Sequence, residues 1–427
     1  MAIQITQQPT TPNAAFTNLV YVVSGSVTTS NPQYQYVMDV MVAGDTGSMV
    51  RVTQTKNPNG VAVFDPSPII QGKLNQDNYW RITGSMAPID SVKDFTMQFG
   101  EQYGTSISSS VAVFPDLASS SLQIFQGDIN PNNGVSYNFN TSSFVTPTSG
   151  NPYLTNNPGV LSENVGTNFN NVVILDSTDY FTVTTLQDTS GDPAMVSVQG
   201  YNLQNGSLGS VIATVDITLS SPIGAFNTIG IGPQNMANYT SSFANPLINA
   251  LQTANDAGGV LIIMNDKWDG IPRVIAGTGK GLSSEYTKKC GSSKNFAFVN
   301  RYGFWDYYAI YNPVRTVTDL TRERFDSSFV DYSSQLSPYS VNRRGDTQYY
   351  ASMVDKFSID TDYIDKEYSN WLEEMMESPS VYIQENNEFV PIIITNTNYQ
   401  TNNETSRNKL FKYTIEWEYA NARRSRS

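Results

Sequence analysis

The chain has 427 residues, with 25 Lys+Arg against 38 Asp+Glu, a formal net charge of −13, no His and one Cys. Without His there is no imidazole base, no Ser-His or Cys-His pair and no His-ligated zinc. Cys290 has no second thiol for an intrachain disulfide or a thiolate cluster, which points to folding in a reducing compartment. The length corresponds to about two to four domains of roughly 100–200 residues, each with chain enough to bury a core.

Charged residues make up only 15% of the chain while Tyr (25) and Phe (20) are plentiful, a composition for folded β structure with long polar loops. The opening residues 1–16 lack a basic stretch followed by an apolar one, and no window approaches a membrane-spanning run, so neither a secretory signal nor a span is expected. Charge is segregated along the chain. Residues 1–93 carry five basic and five acidic side chains, 94–266 carry no Lys or Arg against twelve acids, and 267–427 carry 20 basic and 21 acidic. A cation-free surface cannot make the phosphate contacts that supply most nucleic-acid affinity. The middle segment is expected to be a solvated acidic β domain, or a face for cations such as calcium or a basic partner.

In chain order, 18–23, 34–42 and 49–53 are rich in β-branched and aromatic residues and predict strands. Asn57-Pro58-Asn59-Gly60 before 61–64 gives the hairpin signal of Asn-Gly, and 91–103 supplies a closing strand. Residues 1–104 thus predict a small immunoglobulin-like sandwich without its Cys pair. Residues 105–285 predict a larger, jelly-roll-like sandwich, with strands at 111–114, 122–125, 172–175, 180–184, 194–198 and 211–217 and polar loops between them. A helix is expected at 246–256, capped by Asn245 and stopped by Gly258.

Residues 286–427 predict an α+β unit. Ile364, Tyr368, Trp371, Leu372 and Met375 form one helical stripe over 363–377, with Asp360, Asp362 and Asp365 at its start and Pro379 beyond its end. Strands at 381–383, 390–395 and 412–419 follow, and the helix is expected to dock on them through Trp371 and Trp417. The expected fold class is mainly β: several sandwiches and a C-terminal α+β unit. No repeat period is visible.

Few motifs carry chemistry. Gly277-Thr278-Gly279-Lys280-Gly281 fails as a phosphate loop, because Gly281 stands where Ser or Thr must reach magnesium and Val274 where the first Gly belongs. Asp360, Asp362 and Asp365 open like a calcium loop, but an EF-hand register puts Asp365 at its Gly and Trp371 at its bidentate Glu, so helix capping accounts for them. Asp176 with Asp179, and Asp188 with Asp192, are calcium candidates on loops, with Asx turns as the competing account. Glycoside hydrolysis needs only two carboxylates and no His, yet their spacing is not readable from sequence. The tail residues Arg423, Arg424 and Arg426 form either a frayed end or an arm for a neighbour's acidic surface.

Tyr21-Val22-Val23, Tyr36-Val37-Met38-Asp39-Val40, Asn57-Pro58-Asn59-Gly60 leading to Phe64-Asp65, and Phe99-Gly100-Glu101-Gln102-Tyr103 stand in order near the start. Ile231-Gly232-Pro233, Cys290 leading to Asn300-Arg301-Tyr302-Gly303-Phe304-Trp305-Asp306, Ser378-Pro379-Ser380-Val381-Tyr382, and Tyr413 through Asn421 follow. In this order the fragments resemble virion structural proteins of tailed bacteriophages. The resemblance implies a non-enzymatic particle component without cofactors, folded in the host bacterial cytoplasm and partnered by other virion proteins and copies of itself. A tail or baseplate position is expected, with a head-decorating or neck protein and a receptor- or glycan-binding tip as alternatives. Arg423, Arg424, Arg426, Trp305 and Asp306 are the interface candidates.

Overall fold

A computed structural model describes residues 3–25, 31–128, 137–138, 143–144, 153–161, 173–174, 179–187, 195–204, 207–219, 226–239, 259–266, 272–279, 294–310, 312–326, 346–361, 363–396 and 411–421. The fold is mainly β, with several sheets and few helices, as the composition predicts. The chain divides into two compact units, one of Met1–Thr287 with Phe298–Tyr307 and the other of Lys288–Ala297 with Tyr308–Ser427.

The first unit opens with a sandwich. Its small sheet has the order Ile3–Gln7, Tyr21–Gly25, Val61–Phe64, and its larger sheet the order Asn13–Ala14, Ala112–Phe125, Val92–Tyr103, Gln35–Val42, Asp45–Gln54. Alternation places Tyr21, Val23 and Phe64 of one sheet and Tyr36, Met38, Val40, Phe95, Met97 and Phe99 of the other in a single core. Phe99 joins the layers, its ring 5.2 Å from that of Tyr21 and 6.0 Å from that of Phe64. Behind this core Asp39, 1% exposed, is held bidentately by Arg51 at 2.7 Å through both oxygens.

The Asn-Gly turn forms, with Gly60 at φ 79° and the Asn57 carboxamide oxygen accepting from Asn59 N and Val61 N. It does not close a hairpin. Asp45–Gln54 before it lies in the larger sheet, while Val61–Phe64 after it pairs with Tyr21–Gly25 in the smaller one, so the turn carries the chain across the sandwich. The connection at 104–105, where a domain boundary is expected, joins two strands paired along their length, Val92–Tyr103 and Ala112–Phe125.

The same unit holds a three-stranded sheet, Thr182–Leu186, Phe226–Gly230, Ser85–Met86, and a five-stranded one, Val173–Ile174, Pro272–Gly279, Gly259–Asp266, Met195–Gln204, Ser207–Thr218. Gly277, Thr278 and Gly279 are strand residues facing Leu261, Val260 and Gly259. The helix expected at 246–256 lies outside the described residues. A second core gathers Phe125, Phe226 and Phe304, with ring separations of 5.5, 6.4 and 5.7 Å.

A seven-stranded sheet runs Trp305–Ile310, Lys294–Val299, Val381–Glu385, Glu388–Ile394, Thr414–Tyr419, Asp346–Asp360, Arg315–Asp326. Asn386 and Asn387, at φ 51° and 63°, make the two-residue turn between Val381–Glu385 and Glu388–Ile394, the geometry that suits a tight hairpin. The helix Lys366–Glu377 is capped by Asp365, whose carboxylate accepts from Tyr368 N at 2.9 Å, and it ends at Ser378 before Pro379. Trp371, Leu372 and Met375 are buried, the expected stripe. Trp371 meets Tyr308 edge-on at 5.7 Å, and Ser369 shares a 2.6 Å hydrogen bond with Tyr413 OH. Trp417 is buried in the sheet itself, stacked on Phe357 at 5.6 Å and edge-on to Phe296 at 5.4 Å.

Candidate interaction surface

Arg315–Asp326 pairs with Asp346–Asp360 from end to end, but the next strand inward, Thr414–Tyr419, reaches only Lys356 to Asp360. Among the described residues, 346–355 and their partners therefore form a two-stranded ribbon that overhangs the sheet by roughly 33 Å at about 3.3 Å per residue. All twelve residues of the outer strand are exposed. The cause is in the side chains. One face of that strand carries Val317, Asp319, Thr321, Glu323 and Phe325 and the other Thr316, Thr318, Leu320, Arg322 and Arg324, so neither face is apolar enough to cover a core. Apolar groups nevertheless stand in water on both faces: Val317 (60% exposed), Phe325 (48%) and Val354 (38%) on one, Leu320 (43%) facing Met353 (41%) on the other.

Charges lace the ribbon. Lys356 Nζ lies 2.7 Å from Asp319, whose hydrogen bond raises the lysine pKa. Tyr349 OH donates to Glu323 at 2.6 Å, which raises the tyrosine pKa, and Thr318 donates to Asp355 at 2.7 Å. At the base, Asp360 accepts from Thr414, and Lys412 and Arg315 lie 3.3 and 3.2 Å away; the Thr414 hydrogen bond leads in holding its carboxyl below the usual range. At the far end Asp326 faces Asp346, and a hydrogen bond between the two raises the Asp326 pKa. Among the described residues the outer strand is a sheet edge, and its outward N–H and C=O groups have no ladder partner there. Such an edge is a template for pairing with a further strand.

The interface candidates Trp305 and Asp306 are elsewhere. They are 5% and 6% exposed within the first unit, so their side chains are engaged inside the fold. Trp305 Nε1 donates to the Asp77 carbonyl and its ring meets Trp80 edge-on at 6.0 Å, while Asp306 accepts from Thr155 at 2.7 Å. Arg423, Arg424 and Arg426 lie outside the described residues. So do the calcium candidates Asp176, Asp188 and Asp192, while Asp179 is 4% exposed and its carbonyl accepts from Gln234 N. No group of acids that could hold a metal is found among the described residues.

Asp77 organises a polar cluster that sequence reading does not reveal. Its carboxylate accepts from Ile89 N, Asp90 N, Ser91 N and the Ser91 hydroxyl at 2.6–3.2 Å. Burial and the neighbouring carboxylate push the Tyr79 phenol pKa up. A cavity of about 10 Å3, lined by Asp77, Tyr79, Ser91, Thr184 and Thr228 among others, adjoins it. That is the room of about one water and too little for a substrate.

Two fragments that support the phage resemblance are also structural. In Asn300 to Asp306 the Asn300 carboxamide accepts from Tyr302 N and Phe304 N and donates to Leu154 O, while Gly303 takes φ 79° and passes Gln126 so closely that a Cβ would lie 1.8 Å from its carbonyl oxygen. In Ile231-Gly232-Pro233 both Ile231 N and Gly232 N donate to Phe181 O at 2.9 Å.

No known family model matches the chain. No curated protein matches it either. Among solved structures, trypsin-activated alpha-2-macroglobulin from Escherichia coli is similar at 10% identity and a TM-score of 0.18, over 84% of this chain and 22% of that one. The chain thus spans about a fifth of that protein's length, and a likeness of this degree carries no argument about fold or role. No helix among the described residues is long and apolar enough to cross a membrane.

Proposed function

We propose that the chain is a non-enzymatic structural component of a tailed-phage virion, placed in the tail or baseplate and acting through subunit interfaces. The single observation that carries this reading is the overhanging ribbon of Arg315–Asp326 and Asp346–Asp360. A two-stranded ribbon alone in water is marginal at best and gains stability from a further strand or a packed face. Here it displays apolar side chains on both faces and an open edge. The area agrees: about 33 Å of ribbon roughly 10 Å wide offers on the order of 650 Å2 over two faces, near the ~800 Å2 per partner of a stable interface. The ordered fragments from Tyr21 to Asn421 supply the phage assignment. Mass spectrometry of purified particles tests it: the chain is expected among the virion proteins at a fixed stoichiometry, and its absence rejects the assignment.

A further inference from the structure

We infer that the open edge of Arg315–Asp326 pairs antiparallel with the same strand of a second copy, about a two-fold axis at Leu320. The inference rests on the assembly reading above and names the partner of that surface.

The occupant follows from charge. The strand carries Arg315, Asp319, Arg322, Glu323, Arg324 and Asp326, three of each sign, which suits neither a polyanion nor an acidic surface but does suit another mixed-sign strand. The register follows from geometry. Facing residues of an antiparallel pair point to the same side of the sheet, so a two-fold axis relating two copies of one strand must pass beside a residue that faces itself.

Registers that overlap three quarters of the strand or more are centred on Asp319, Leu320, Thr321 or Arg322. Centring on Asp319 or Arg322 sets that charge against its own copy, and centring on Thr321 sets Asp319 against Glu323. Like charges directly opposite are destabilising. Centring on Leu320 alone avoids them, because Asp319 then faces Thr321, Thr318 faces Arg322, Val317 faces Glu323, Thr316 faces Arg324 and Arg315 faces Phe325. The six charges thus guard the edge against indiscriminate pairing and leave one long register open. In that register the exposed Leu320 side chains of the two copies lie side by side.

Single cysteines at Thr318, Leu320 and Arg322 in the full chain carrying Cys290→Ser test this. Facing Cα atoms in such a pair are about 4.5–5.5 Å apart, within disulfide reach. The copies of residue 318, or of 322, would be offset by roughly 13 Å along the strand. Under mild oxidation Leu320→Cys is expected to form a covalent dimer at least about tenfold faster than Thr318→Cys or Arg322→Cys. Leu320→Lys, with an unchanged circular dichroism spectrum, is expected to weaken the dimer seen by light scattering by about tenfold or more, since it faces two ammonium groups. Equal crosslinking at the three positions, or a monomer at every concentration, overturns the inference. Particles that contain a chain monomeric in solution would sink this pairing and leave the virion assignment standing; a Leu320-centred dimer absent from particles would do the reverse.

Discussion

Ser91 gives both its backbone N–H and its hydroxyl to one oxygen of Asp77, at 2.8 and 2.6 Å, and so ties the start of Val92–Tyr103 to the loop ahead of it. Asp77 is 6% exposed, and its other donors, Ile89 N and Asp90 N, have no strand partners. Asp77→Ala removes the acceptor of Asp90 N, Ser91 N and the Ser91 hydroxyl, while Ile89 N keeps the Tyr79 hydroxyl at 2.9 Å. It is expected to destabilise the first unit by about 3 kcal/mol, with Asp77→Asn costing less because one acceptor oxygen survives. Denaturant unfolding followed by tryptophan fluorescence, with Trp80 and Trp305 nearby, checks it. Equal stability for wild type and Asp77→Ala contradicts the latch.

Gly303→Ala places a Cβ 1.8 Å from the Gln126 carbonyl oxygen at a φ of 79°, with backbone on the other side of the clash. The turn cannot yield without moving Phe304 out of its core, so this variant is expected to lose cooperative folding of the first unit. Thermal scanning of soluble protein decides it, and a normal transition refutes the close approach.

In the C-terminal helix, Asp365→Ala removes the acceptor for Tyr368 N and is expected to cost about 1 kcal/mol. Tyr413→Phe breaks the hydrogen bond to Ser369 for a similar loss of about 1 kcal/mol. These positions do not share a hydrogen bond, so the double variant is expected to be additive to within about 0.5 kcal/mol. Urea titration of the single and double variants measures this.

The Asp326–Asp346 pair makes the ribbon end sensitive to pH. Asp326 has a raised pKa in the folded chain through its hydrogen bond to Asp346. Its stabilising contribution is therefore fully present below the ordinary carboxylate pKa and is lost as pH rises through the raised value. Asp360 has the opposite sign, its lowered pKa giving stability above the ordinary range that is lost on further acidification. Hydrogen exchange, corrected for its intrinsic pH dependence, is expected to show stronger protection at residues 320–326 in mild acid than at neutral pH. Asp346→Asn should abolish that difference. Unchanged protection in the variant excludes the carboxyl pair as its source.

Local signals are legible in the sequence where local physics decides the outcome. The helix is readable because Ile364, Tyr368, Trp371, Leu372 and Met375 recur on one helical face beside the Asp365 cap. Gln35–Val42 and Thr414–Tyr419 are readable because β-branched and aromatic residues alternate or cluster in them. The Asn-Gly turn is readable as a turn but not as a crossing, since the strand that Val61–Phe64 joins is chosen by the core and not by the turn. Asp77 carries no signal because its donors and Trp305 come together only in the fold, and Trp305 and Asp306 look like exposed recognition residues until their burial is known. The ribbon escapes an apolar-in, polar-out test because Val317, Asp319 and Phe325 share one face while Leu320 and Arg322 share the other. Periodicity finds faces that meet this chain's own core, and these faces meet none among the described residues.

Residues Phe298–Tyr307 belong to the first unit although the chain on either side of them belongs to the second. A fragment stopping at Thr287 would lack Phe304 and Trp305, and one starting at Lys288 would carry ten residues built for another body. Expressing either half alone requires splicing the gene, and a single proteolytic nick would leave neither piece whole.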